Sequence, residues 1–367
     1  MKNKKTIITI IIIIIILYAI NTGFKIYNWQ TIAKEMINNS PSIVLDTDEN
    51  IIAEIGNNKN TKNISIDSIP KNLINAYISI EDQRFYSHHG IDIKRTSSAI
   101  FSYIRHFGSS SFGGSTITQQ LVKNLTGDSS SKISRKLSEW IKAVALEGTL
   151  SKNEILEAYL NIIYVGPNIY GVSLGSEYYF NKDISKLDLA ECAFLAGINN
   201  SPNSYNPFNK NVDNSEKIRK RVKTVLYKMH ELGYIQSQEY DDACLEVDSG
   251  LEFKNGNIKN DTKNEIYSYH TDALISQIIL DISKNKKISE SFANNYIEMA
   301  GLKIYSTQVS NIQDIMEKEF SSKKYLLESS LNPGTSSQAA MIIIDHSTGS
   351  VVRVCWWIRW KNTNKRF

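Results

Sequence analysis

Apolar residues along this chain change their spacing several times, and each change marks an element. After Lys2, Lys4 and Lys5 comes an apolar run from Ile7 to Ile20 that extends to Phe24 or Tyr27. Its length is near the roughly 20 residues that a helix needs to cross a bilayer. Residues 6–27 are therefore expected to form a single transmembrane anchor. The positive end stays inside, which leaves residues 1–5 as a cytoplasmic tail and the bulk of the chain outside the cytoplasm. A cleaved signal peptide would have a shorter apolar core and a small-x-small site after it, and none is evident. Tyr27 and Trp29 sit where an interfacial aromatic belt belongs. Short alternating patterns at Ile43-Val44-Leu45 and Ile51-Ile52-Ala53, set between Asp and Asn, predict strands in a β-rich connector over residues 42–69.

Helical spacing takes over at Pro70. Leu73, Ile74, Tyr77, Ile78 and Ile80 predict a helix that Pro70 opens and that runs into Glu81. Leu137, Ile141, Val144 and Ala145 predict another over residues 135–149. An apolar helix follows over 188–198. Ile218, Val222, Val225, Leu226 and Met229 then give an amphipathic one, which makes Lys217, Arg219, Lys220, Arg221 and Lys223 a solvated face. Gly and Ser between 107 and 116 predict a mobile loop, and Ser201 to Pro207 a turn. The pattern delimits a mainly helical domain over 70–235. From 236 to 367 it becomes an Asn/Lys/Asp-rich linker with scattered helices and a short α/β stub.

Composition narrows the classes only slightly. With 42 Lys+Arg against 38 Asp+Glu the net charge is +4, too mild to point to nucleic acid. Cys192, Cys244 and Cys355 are odd in number and far apart, so they imply neither a disulfide framework nor a metal site.

The candidate chemistry lies in Glu81 and Glu139. Two separated glutamates in one domain suit sugar transfer or sugar hydrolysis, where a carboxylate takes or gives a proton while charge builds on the ring. On a helix, Arg135 and Lys136 share a face with Glu139. Taken alone, such a pair is usually a solvated surface contact. Joined by Lys123, Thr116 and Gln120 from a block opened by Gly113-Gly114, these cations can grip a leaving diphosphate, and that argues for transfer over hydrolysis. His88-His89 lack the companion spacing of a metal cage.

Three ordered blocks carry a family resemblance: Glu81-Asp82-Gln83-Arg84-Phe85-Tyr86-Ser87-His88-His89-Gly90, Gly113-Gly114-Ser115-Thr116-Ile117-Thr118-Gln119-Gln120, and Arg135-Lys136-Leu137-Ser138-Glu139. Followed by the stretch Lys152–Asn161, they resemble the peptidoglycan glycosyltransferase domain of class A penicillin-binding proteins, glycosyltransferase family 51, most strongly over residues 42–208. The resemblance implies a mainly α, lysozyme-like, bilobal domain. It implies polymerisation of lipid II with inversion at the anomeric carbon and release of undecaprenyl diphosphate, with Glu81 as general base and Glu139 assisting near the diphosphate. Asp82, Phe85, His88, Thr116, Gln120, Lys123, Arg135 and Lys136 are the implied substrate contacts. Gly90, Gly113, Gly114, Glu157 and Asn161 are the implied structural positions. No cofactor is required, although the family pattern admits a divalent cation, Mg or Mn, near Glu139. The implied partners are lipid II, the growing glycan strand, membrane lipid and cell-wall synthesis proteins. Where the family usually has Gly after a Tyr-Phe pair, this chain has Asn181, which tolerates a left-handed backbone.

Gly301–Thr307 and Gln338–Gly349 resemble the start of the penicillin-binding transpeptidase domain. That chemistry needs S-x-x-K, S-x-N and K-T-G elements. Ser129-Ser130-Ser131-Lys132 and Ser321-Ser322-Lys323-Lys324 match the first by spelling but precede the Ile342–Ile344 strand, and no K-T-G occurs. Transpeptidase activity is therefore not expected. Trp has a single codon, so Trp356-Trp357-Ile358 read one nucleotide later gives Gly-Gly, which the family shows at this point. A frameshift near Arg353 in a longer two-domain enzyme is the expectation, to be checked by resequencing. It brings an alternative function class, a non-catalytic remnant whose unpaired strand over Ala340–Ile344 invites aggregation.

Overall fold

The computed structural model describes residues 20–56, 61–98, 114–128, 130, 133–256, 258, 267–321 and 340–356. In chain order its strands are β1 (Ser42–Leu45), β2 (Ile51–Ile55), β3 (Tyr164–Gly166), β4 (Ile169–Tyr170), β5 (Lys303–Tyr305), β6 (Ala340–Ile344) and β7 (Val351–Trp356). The helices begin with α1 (Lys71–Glu81), α2 (Ile117–Thr126), α3 (Ile133–Glu147), α4 (Lys152–Ile162), α5 (Val172–Phe180) and α6 (Leu189–Ile198). They continue with α7 (Ser215–Glu231), α8 (Ser237–Ser249), α9 (Tyr269–Lys286), α10 (Glu290–Met299) and α11 (Ser310–Ser321). Residues 20–36 are helical as well. The chain divides into two compact units, residues 1–39 with 59–258, and residues 40–58 with 259–367.

The first unit is helical and holds both candidate glutamates. Pro70 stands at the N-cap of α1, whose buried Leu73, Ala76, Tyr77 and Ile78 face α6 and α7. Capping boxes start four other helices, Thr116 with Gln119 at α2, Ser151 with Glu154 at α4, Asp188 with Glu191 at α6 and Gln236 with Glu239 at α8, each satisfying backbone donors that a helix start leaves open. Helix α5 ends at Asn181, φ 50°, in the left-handed region expected of it. The five apolar positions anticipated on α7 are all buried. Helix α8 packs along α7, and the segment after it bonds to α5 through Lys254 N–H to Tyr179 O at 3.0 Å. Phe253 stacks on Phe180 with ring centroids 5.6 Å apart. Residues 236–256, expected as linker, therefore belong to this unit, because their aromatic and apolar side chains complete its core.

Helix α3 forms where its apolar spacing predicts a helix. Its inward face is Glu139, Ala143 and Leu146, whereas Leu137, Ile141 and Val144 are 49%, 52% and 46% exposed. The apolar spacing is helical, but it marks the outer face of the helix. The helix over 20–36 docks on α3 through Trp29, whose Nε1–H donates to Lys142 O at 3.2 Å, and through Gln30, which donates to Ala145 O at 2.6 Å. Trp29 is thus buried packing and no part of an interfacial belt, while Tyr27 is exposed. Most of the anchor expected at 6–27 lies outside the described residues. Among the described residues no helix is long and apolar enough to cross a membrane.

In the second unit β1 pairs antiparallel with β2 and parallel with β5. Val44, Ala53, Ile55, Ile297 and Ile304 form its core, with Ile275, Ile278 and Ile282 of α9 packed against them. The strands expected as a connector are thus part of this sheet, since half-buried alternating residues need a partner from far along the chain to cover them. Strand β6 is not unpaired, because β7 runs antiparallel to it from Ala340↔Trp356 to Ile344↔Val351. Of the tail over 355–367 that is read as frameshifted, residues 357–367 lie outside the described residues.

Candidate active site

Glu81 ends α1, and its carboxylate is held on both oxygens. Gln120 Nε2 of α2 donates to Oε2 at 2.8 Å, and Asn199 Nδ2, just past α6, donates to Oε1 at 3.1 Å. Tyr159 of α4 links the two amides, donating its hydroxyl to Gln120 Oε1 at 3.1 Å and accepting from Asn199 Nδ2 at 2.8 Å. Burial first, and then the Glu81 charge, pushes the Tyr159 hydroxyl well above the usual phenol range, so it stays a donor. Glu81 and Gln120, both singled out from the sequence, meet here. Tyr159 and Asn199 were missed, although a polar Asn directly after an apolar helix was a readable signal.

A second centre forms on the inner face of α3. Glu139 is buried, with Arg135 Nη1 donating to its Oε2 at 2.6 Å and Lys136 Nζ bonded to its Oε1. Lys136 also reaches Ser115 Oγ at 2.8 Å, beside the start of α2. The exposed Lys123 shares a small hollow with Arg135, Glu139 and Lys142. Burial pushes the Lys142 ammonium below the usual lysine range, against the pull of the Asp128 charge. Cations outnumber carboxylates here, a balance that suits an anion. Among the described residues no three His, Cys, Asp or Glu side chains come together to hold a metal ion. With both Glu139 oxygens taken by cations, this donor set does not fit the Mg or Mn that the family pattern admits.

Four residues that the family pattern offers as substrate contacts, Asp82, Phe85, His88 and Thr116, are buried. Asp82 Oδ2 accepts from His88 Nε2 at 2.8 Å and from the Ile117 N–H at 3.0 Å, which ties the end of α1 to the start of α2. Phe85 is fully buried, with the Lys152 ammonium 4.5 Å from its ring centre. The Thr116 hydroxyl donates to Gly90 O at 2.7 Å and accepts from Gln119 N–H at 3.1 Å, so the capping box uses it fully. Below His88 lies Glu147, bonded to Lys152 at 2.7 Å and Thr118 at 2.5 Å. Glu147, Lys152 and Thr118 were not singled out as site residues, because nothing in their spacing marks them as one cluster.

The structural positions are placed as supports. Gly90 has φ 84°, and a Cβ there would lie 2.6 Å from the Ala143 and Val144 backbone of α3. Gly114 is buried, and Gly113 lies outside the described residues, as does the expected mobile loop as far as residue 113. Glu157 Oε2 accepts from Ile66 N–H at 2.7 Å. Asn161 both accepts from and donates to the Ile64 backbone at 2.9 Å. A cavity of about 490 Å³ floored by Ile218, Val247 and Phe253 contains neither glutamate, so volume does not locate the chemistry.

Residues 48–230 match the family model described as Transglycosylase. Penicillin-binding protein 1A of Clostridium perfringens is 37% identical over 325 residues, covering 85% of this chain and 39% of that protein. Penicillin-binding protein 1A/1B of Bacillus subtilis is 36% identical over 280 residues, covering 76% of this chain and 29% of that one. The chain spans less than half the length of these curated relatives. A crystal structure of penicillin-binding protein 1A from Haemophilus influenzae aligns at 20% identity with a TM-score of 0.33, over 76% of this chain and 28% of that one. That likeness is too loose to carry an argument.

Proposed function

Because residues 48–230 of this chain belong to the transglycosylase family, we propose that it is a peptidoglycan glycosyltransferase that polymerises lipid II. The observation that supports this most is the coexistence, in one unit, of a carboxylate oriented by two amides and a second carboxylate set among cations. In this reading Glu81 takes the proton of the acceptor's 4-hydroxyl as its oxygen attacks the donor's anomeric carbon. The bond to the diphosphate breaks with inversion, and undecaprenyl diphosphate leaves with the bonding electrons. Lys123, Arg135 and Lys136 meet the charge that develops on the leaving group. The outward apolar face of α3 then lies against the bilayer that holds the lipid-linked substrate.

Two measurements on labelled lipid II and one on penicillin test this reading. Lys123→Ala removes an exposed cation and should lower kcat/KM by about 10- to 150-fold, the worth of a charge-assisted contact of roughly 1.5–3 kcal/mol. Its melting temperature should not move. Normal polymerisation by this variant would remove the diphosphate grip from the account. Arg135→Ala takes a donor from buried Glu139 and should lower stability as well as turnover. The chain itself should form no covalent adduct with a labelled penicillin, since it lacks K-T-G; a stable labelled band at its mass would contradict this.

A further inference from the structure

We propose that Tyr159 and Asn199 are positioning residues that fix the Glu81 carboxylate and the amides that donate to it, through the closed ring Glu81–Gln120–Tyr159–Asn199. The inference rests on the reading of Glu81 as the base. An ionised carboxylate only accepts, so Gln120 and Asn199 must both turn their NH₂ groups toward it. Gln120 then presents Oε1 to Tyr159, whose hydroxyl must donate there and is left to accept from Asn199. Every member's role follows from the one before, so the charge on Glu81 and the direction of the Tyr159 hydroxyl determine each other. Tyr77 steadies the ring from behind, edge-on to Tyr159 at 6.2 Å, while donating its own hydroxyl to Leu195 O of α6 at 3.0 Å. That same helix leads into Asn199, so α1, α2, α4 and α6 meet at one carboxylate. Each Glu81 oxygen accepts one ring bond, which leaves room for the incoming proton while the ring stays closed.

The test follows the Glu81 titration by carbon NMR of the full chain labelled at glutamate Cδ, with the signal assigned as the one missing from Glu81→Gln. Tyr159→Phe frees both amides to turn and should raise the Glu81 midpoint, because donors to the ionised form are weakened. Asn199→Asp replaces a donor by a like charge and should raise the midpoint further, by at least about one pH unit. Asn199 is half-exposed, so this second variant keeps the test open if the buried tyrosine change fails to fold. In lipid II polymerisation the acid limb of the rate profile should move with the midpoint, and kcat should fall about tenfold in Tyr159→Phe with KM within about twofold. A wild-type midpoint in either folded variant overturns the ring. Shifted midpoints in the variants, with a wild-type chain that itself makes no polymer, would leave the ring standing and remove the proposed function instead.

Discussion

Glu81→Gln should give a folded chain that no longer elongates glycan, with kcat reduced by about 10²- to 10⁴-fold, the usual cost of losing a general base. The substitution keeps the side chain's shape but removes its ability to take a proton. It also brings a third amide into a ring built around an acceptor. The new amide offers a single oxygen, so either Gln120 or Asn199 keeps its bond and the other faces a donor. One lost bond of this kind is worth about 1 kcal/mol, so thermal unfolding should move by a few degrees at most. Activity within a few-fold of wild type would remove Glu81 from the role of base, whatever the stability showed.

The second large effect is on folding. Gly90→Ala should destabilise the first unit by about 2–5 kcal/mol, combining roughly 1–2 for a left-handed backbone at a residue with a side chain and 1–3 for overpacking. The new methyl has nowhere to go, because its neighbours at 2.6–2.7 Å are the α3 backbone at Ala143 and Val144. Gly90 O is also the acceptor for Thr116. Moving the loop would therefore loosen the cap of α2 and, with it, the helix that carries Gln120 and Lys123. Chemical denaturation of the purified chain measures the loss. An unfolding midpoint equal to wild type would show that the loop and α3 are not packed as closely as described.

Legibility followed the range over which each feature is determined. Short-range rules carried α1, which Pro70 opens and Glu81 closes, and they carried the buried stripe of α7 and the left-handed turn at Asn181. They failed where tertiary packing decides. On α3 the period predicts the helix but not its buried face, because Glu139 turns inward while Leu137 and Ile141 stay exposed. Similarly, β1 and β2 looked like a connector because their partner β5 lies far along the chain. Motif order singled out Glu81 and Glu139 but could not separate exposed positions from buried ones. Asp82, His88 and Thr116 are as strongly patterned as Glu81, yet all three are buried, with Asp82 Oδ2 accepting from His88 Nε2 and the Ile117 N–H and the Thr116 hydroxyl donating to Gly90 O. Asn199 and Tyr159 fell outside that search: an Asn directly after an apolar helix is a local signal, but the ring that joins four helices is encoded by no local spacing.

The most direct test of the account is to incubate the purified, detergent-solubilised chain with lipid II labelled in its sugars and to separate the products by size. The account predicts a ladder of glycan polymer that grows with time, with undecaprenyl diphosphate released as each linkage forms, and no ladder from Glu81→Gln. Lipid II recovered unchanged from the folded wild-type chain, or converted only to free disaccharide by hydrolysis, would contradict it.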